Sequence, residues 1–165
     1  MALMEKDVEY SIKNLILNYS GNNPITITNE FRSDGIVRNN GKACAILEFK
    51  VKRDFSKDNT LAQVFCQSLC YYCKILQKES IDQTQPFYLL MGDENEIVVF
   101  NLHKMPNNWM LNGKWSEIAP SAACKDKELM NIATSMINLV KPIYYKYDDI
   151  KELNFGFYLL FGGAL

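Results

Sequence analysis

The chain has 165 residues, 48% of them hydrophobic and 22% charged, which is enough for one domain with a real core and too short for two comfortable ones. A formal net charge of -1 excludes a broadly basic nucleic-acid coat and an acidic tail, so a charged partner would have to be met by a local patch. Apolar runs fall well short of the ~20 residues that span a bilayer. The 5 cysteines, an odd number with three crowded together, suit a reduced cytoplasmic protein better than a disulfide framework.

Met4, Val8, Ile12, Leu15, Ile16 and Tyr19 recur at helical spacing with Glu5, Glu9 and Lys13 between them, so residues 4–19 read as an amphipathic helix. After SGNNP, the alternating ITITNEF reads as a strand. SDGIVR and ACAILEFKV flank NNGK, whose Asn-Gly step suits a tight turn, and they form an antiparallel second and third strand. Asn59 or Thr60 caps a helix running to about Glu79. PFYLLM and EIVVFNL, split by GDEN, read as two further strands, with the GDEN carboxylates solvated.

Residues 103–125 read as loop, with Trp109 and Trp115 covering the sheet. A helical extension over about 126–141 stops at Pro142. The apolar ending NFGFYLLFGGAL reads either as a cut point within a longer polypeptide or as a last strand on the domain. This interleaved order predicts an α/β fold, a mixed sheet flanked by helices.

Cys66, Cys70 and Cys73 are spaced C-x3-C-x2-C, which also suits an iron-sulfur cluster. They fall inside a helical stripe with Ala62, Phe65, Leu69 and Leu76, and core packing is the better reading. On the neighbouring face Gln63, Gln67, Tyr71, Lys74 and Lys78 follow one another at helical steps. Two amides, a phenol and two ammonium groups there suggest the edge of a site rather than a plain solvated face. The lone His103 excludes a zinc site built on a histidine pair.

On the third strand, alternation puts Cys44, Ile46, Glu48 and Lys50 on one face and Ala45, Leu47 and Phe49 on the other. Glu48 and Lys50 could form a mere ion pair on an exposed face. Their apolar flanks argue for burial, where charges are expensive unless paired or bound to metal. The hairpin turn brings Asp34 alongside. Two carboxylates and an ammonium suit phosphodiester hydrolysis, because carboxylates are hard ligands for Mg²⁺, which keeps several waters and also takes a phosphate oxygen.

Asp34 followed by Glu48-Phe49-Lys50 across a hairpin, then a helix with Gln67 and Tyr71 in Gln-x3-Tyr spacing, resembles the PD-(D/E)xK nuclease superfamily. That family's restriction endonuclease-like core, in the order helix, three strands, helix, strand, corresponds to residues 4–102. Ser33 stands where proline often precedes the aspartate. The resemblance implies that Asp34, Glu48 and the Phe49 carbonyl bind Mg²⁺ or Mn²⁺, and that Lys50 activates water or stabilises the transition state. It also implies that Gln67 or Gln63 orients the lysine, water or phosphate. Glu9 or Glu5 is a further acidic candidate from the first helix.

Arg32, Lys52, Arg53, Tyr71, Lys74 and Lys78 would contact the DNA backbone. The implied setting is a bacterial restriction-modification or DNA-processing protein, with further domains of a longer chain and a homodimer left open. Fold does not fix function. A non-catalytic DNA-binding or assembly module on the same fold stands as the alternative, ahead of an iron-sulfur protein.

Overall fold

The computed structural model describes residues 5–18, 24–31, 33–50, 58–146 and 160–161. Helix α1 (Glu5–Asn18) is followed by β1 (Ile25–Thr28), β2 (Gly35–Asn39) and β3 (Lys42–Phe49), then by α2 (Asp58–Lys78) and β4 (Tyr88–Gly92). The expected order of helix, three strands, helix and strand is therefore present. β5 (Glu96–Asn101), the short helices α3 (Lys114–Glu117) and α4 (Pro120–Ala123), helix α5 (Lys127–Val140) and β6 (Ile143–Lys146) complete the described elements, with two 3-10 turns after β5.

The six strands form one mixed open sheet in sequence order. Short turns make β2–β3 and β4–β5 antiparallel, β5 and β6 are antiparallel across the helices between them, and the α2 crossover makes β3 and β4 parallel. Both faces are covered. Val8, Ile12 and Ile16 of α1 pack with Val37, Ala45, Leu47, Phe49, Leu90, Ile97 and Val99. On the opposite face, Ile36, Ile46, Leu89, Met91, Val98 and Phe100 meet α2, and α3, α4 and α5 pack on α2 from outside. α2 is thus the central helix of the protein. That position explains why its apolar residues exceed one stripe.

The β2–β3 hairpin turns at Asn40 and Gly41, both at positive φ, as the Asn-Gly step predicts. One residue further the ladder is irregular. Pairing passes from Val37–Ala45 to Arg38–Ala43, which leaves Cys44 as a bulge. The bulge reverses the expected alternation at the start of β3, so Cys44 packs with the α1 layer and Ala43 with the α2 layer. Arg38 beside the bulge bonds Glu30 at 2.9 Å, Glu79 at 3.1 Å and the Gly41 carbonyl at 3.0 Å. Glu79 also accepts the Ala43 N–H at 3.1 Å, so this network ties the hairpin to the end of α2.

Several further expectations need correction. Residues 103–125 are largely short helical turns rather than loop. Trp109 and Trp115 cover α2 instead of the sheet: Trp109 stacks on Tyr72 at 5.7 Å, and the Trp115 indole donates to the Trp109 carbonyl at 2.8 Å. Asp93 is buried, not solvated, and closes the β4–β5 turn by accepting the Asn95 and Glu96 N–H groups at 2.8 and 2.9 Å. The strand after α5 is Ile143–Lys146, while the expected one in the apolar ending lies outside the described residues except at Leu160 and Phe161.

Candidate active site

The site lies at the C-terminal ends of β3 and β4, the parallel pair. Ligand clefts in open α/β sheets form outside this end of the strands. Asp34 is carried there by a turn in which the Ser33 N–H and hydroxyl both donate to the Glu30 carbonyl, at 2.9 and 2.7 Å, with Phe31 at a φ of 56°. Ser33 thus closes the turn by hydrogen bonding, without the rigidity of a proline. The register pairs Gly35 with Leu47 and so brings Asp34 level with Glu48. Asp34 Oδ2 accepts the Phe49 N–H at 2.6 Å. On the other side of β3, the Lys50 N–H donates to the Gly92 carbonyl at 2.8 Å.

Glu48 is the unusual member. Its side chain is 3% exposed, Lys50 Nζ stands 3.8 Å from its Oε2, and its Oε1 is buried without a hydrogen-bond partner. That separation is too long for a hydrogen bond. A buried acceptor left unpaired costs about 1–3 kcal/mol. Burial, reinforced by the Asp34 charge, pushes the Glu48 carboxyl up to about 8. Burial also raises Asp34, against the lowering effects of the Phe49 N–H and the Lys50 charge.

Helix α1 closes the far side. Glu5 reaches Lys50 at 3.8 Å. Glu9 is committed to Lys13 at 2.6 Å, yet its charge still acts on Asp34. The cluster therefore gathers Asp34, Glu48 and Lys50, with Glu5 and Glu9 at its rim.

Helix α2 runs antiparallel to β3, since Glu79 near its end bonds Ala43 at the start of the strand, whereas the Glu48 charge at the other end of the strand acts on the Tyr71 phenol two turns earlier. Gln67, one turn before Tyr71 on α2, and Gln63, two turns before it, are both half-buried.

Tyr71, expected on a DNA-facing surface, is only 6% exposed and turned inward. Burial first, then the Glu48 and Asp34 charges, push its phenol upward in pKa, so it stays a hydroxyl donor. Lys74 and Lys78 lie on the other side of Tyr71 from Gln67. Lys74 acts on the Cys70 and Cys73 thiols, and Lys78 sits 4.7 Å over the Phe31 ring. Arg32, Lys52 and Arg53 lie outside the described residues.

Among the described residues, no group of three or more His, Cys, Asp or Glu side chains is placed to hold a metal ion. Two carboxylates with waters suffice for Mg²⁺. The partnerless Glu48 Oε1 beside Asp34 fits such a cation, because a cation would satisfy an oxygen that the protein leaves unpaired. The cysteines do not fit a cluster. Cys66, Cys70 and Cys73 are buried on α2, and burial pushes the Cys66 and Cys70 thiols up to about 12, away from the thiolate that binds metal.

Together these features define an α/β protein with a buried acid–lysine cluster at one end of a six-stranded mixed sheet. In comparisons with known proteins, the chain matches no family model, no curated protein and no solved structure. No described helix is long and apolar enough to cross a membrane.

Proposed function

We propose that this chain is a divalent-metal-dependent deoxyribonuclease of the restriction endonuclease-like, PD-(D/E)xK type, acting in the cytoplasm in a restriction-modification or related DNA-processing role. The observation that carries the reading is the Glu48 carboxylate, buried with one partnerless oxygen beside Asp34 and Lys50 at the ends of the parallel strands. DNA as the substrate follows from the resemblance of Asp34 and the Glu48-Phe49-Lys50 segment.

In this reading Asp34, Glu48 and the Phe49 carbonyl hold Mg²⁺ or Mn²⁺. The bound ion supplies Lewis-acid neutralisation of the charge that gathers on a phosphate. Lys50 orients the attacking water and adds its own positive charge at the phosphate. Gln67 or Gln63 orients the lysine, the water or a phosphate. The Asp34 bond to the Phe49 N–H fixes the hairpin end on which all three ligand groups sit.

Incubation with plasmid and linear DNA in Mg²⁺ or Mn²⁺ tests the proposal. Cleavage should appear in the parent protein and fall by at least ~100-fold in Lys50→Ala and Asp34→Ala, with circular dichroism unchanged. Absence of both cleavage and Mn²⁺ binding in the parent overturns it. Mn²⁺ binding that needs Asp34 but never supports cleavage points instead to a non-catalytic module on this fold.

A further inference from the structure

We propose that the cavity between the second half of α2 and the 3-10 turns after β5 is a second binding site, which takes an amino-bearing nucleobase. It does not depend on the nuclease reading above. His103 stands beside the start of β4, its ring centre 5.9 Å from that of Phe87, whereas the acid–lysine cluster meets β4 at Gly92. Five strand steps, about 16 Å, separate the two ends.

The decisive atom is His103 Nε2. The other ring nitrogen, Nδ1, bonds the Gln85 carbonyl. A carbonyl only accepts, so Nδ1 carries the proton and Nε2 of the neutral ring is a bare acceptor. That nitrogen is buried without a hydrogen-bond partner, which is destabilising until a donor meets it. His103 lines a cavity of about 420 Å³, within the span of small-molecule sites, about 300–1,000 Å³.

The rest of the lining narrows the ligand class. Tyr72 and Trp109 are a stacked pair with planes 13° apart, beside the apolar Leu76 and Met105, a wall that suits a flat ring. Gln83 and Asn107 are exposed and line the same cavity. Side-chain amides read a base edge by donating to one atom and accepting from the next. An exocyclic amino group has two N–H bonds, enough for Nε2 and one amide oxygen together, which favours adenine or cytosine over thymine. Among the described residues the lining holds no carboxylate, ammonium or guanidinium, so the ring it takes is neutral and any phosphate stays outside.

Saturation-transfer NMR and calorimetry with adenosine and cytidine test the site. The parent should bind at least one of them with a millimolar or tighter Kd, and the N,N-dimethyl counterpart of that nucleoside, which lacks the amino protons, about 10-fold more weakly. His103→Phe keeps a ring and removes the acceptor, and should cost about 10-fold in affinity. Asn107→Ala should cost about 3-fold with the melting temperature unchanged.

No saturation transfer to either nucleoside overturns the proposal. So does equal affinity for the dimethylated ligand, or equal affinity of the parent and His103→Phe. Should His103→Phe fail to fold by circular dichroism, Asn107→Ala and the dimethylated ligand decide alone. Competition by a short single-stranded DNA then separates the two sources of the ring: displacement assigns the site to a base carried on DNA, and its absence to a free nucleoside. Each readout is independent of Mn²⁺ binding at Asp34 and Glu48, so failure here leaves the nuclease reading standing.

Discussion

Replacing Glu48 by glutamine tests the burial of the acid cluster with little change of shape. Burial first, then the Asp34 charge, moves the Glu48 carboxyl from the ordinary 4.5 to about 8. Between these values the folded protein holds a proton that the unfolded chain has released. The native state then binds more protons than the unfolded state, so stability falls as pH rises through the window. Each pH unit is worth about 1.4 kcal/mol for one proton, giving a ceiling of about 5 kcal/mol. Relaxation and water entry on the Lys50 side reduce the expected loss to about 2 kcal/mol. Asp34, also raised by burial, adds a loss of the same sign that starts at lower pH.

The glutamine variant lacks the Glu48 proton and its loss. In EDTA, urea denaturation followed by circular dichroism should give nearly equal stabilities near pH 5. At pH 8.5 the variant should be more stable by about 2 kcal/mol, or roughly 4–8 °C in Tm for a chain of this size. The m value should stay constant. A variant whose stability parallels the parent from pH 5 to 9, or falls below it at pH 8.5, refutes the reasoning.

Two further substitutions test the frame that holds the cluster. A Cβ at Gly35 would stand 2.9 Å from Ile27 Cγ2 and 3.3 Å from Leu47 Cδ1, so Gly35→Ala should destabilise by about 1–3 kcal/mol. Adding Ile27→Ala should recover part of that loss, and simple additivity of the two losses in urea denaturation would count against the clash. Arg38→Ala removes the ion pairs that tie Glu30 and Glu79 together across the hairpin. It should cost about 2 kcal/mol, with a smaller loss in Glu30→Gln because Arg38 keeps Glu79; equal stability of the Arg38 variant and parent would remove the network from the account.

The acid–lysine cluster was legible because three local signals agreed: the Asn-Gly turn, the apolar alternation of β3 and two charges interrupting it. A turn type and a period of two suffice to bring Asp34 beside Glu48. The bulge at Cys44 was not legible, since nothing local distinguishes it from a regular strand. It depends on Arg38 meeting Glu30 and Glu79, residues far apart in sequence. Tyr71 was read as a surface residue for a similar reason. Helical spacing put it with Gln63 and Lys78, but Tyr71 belongs to the buried cluster that α2 shares with the sheet, so the polar face of α2 is narrower than the period suggests. The helical turns after β5 escaped notice because each is too short for periodicity, and tertiary packing of Trp109 and Trp115 holds them in place.

Glu48 marks where the fold departs from its own packing rules. Ile46, two residues earlier on the same face, is fully buried among apolar side chains, and an apolar residue at position 48 would extend that layer without an unpaired oxygen. A structural ion pair would explain the carboxylate if Lys50 met it in direct contact. The ammonium instead stands 3.8 Å away and is shared with Glu5, while Asp34 adds a second negative charge beside the first. The Asp34 charge raises the Glu48 carboxyl further, and the single lysine does not offset the desolvation of both. Among the described residues the other buried side-chain atom without a partner is His103 Nε2, whereas the remaining buried polar residues are answered. Ser68 donates to the Val64 carbonyl, Ser33 to that of Glu30, and Asp93 accepts two backbone N–H groups. Local conflicts of this kind concentrate at functional sites. The conflict resolves if a divalent cation joins the two carboxylates, since the same charge balances Asp34 against Glu48 and satisfies Oε1.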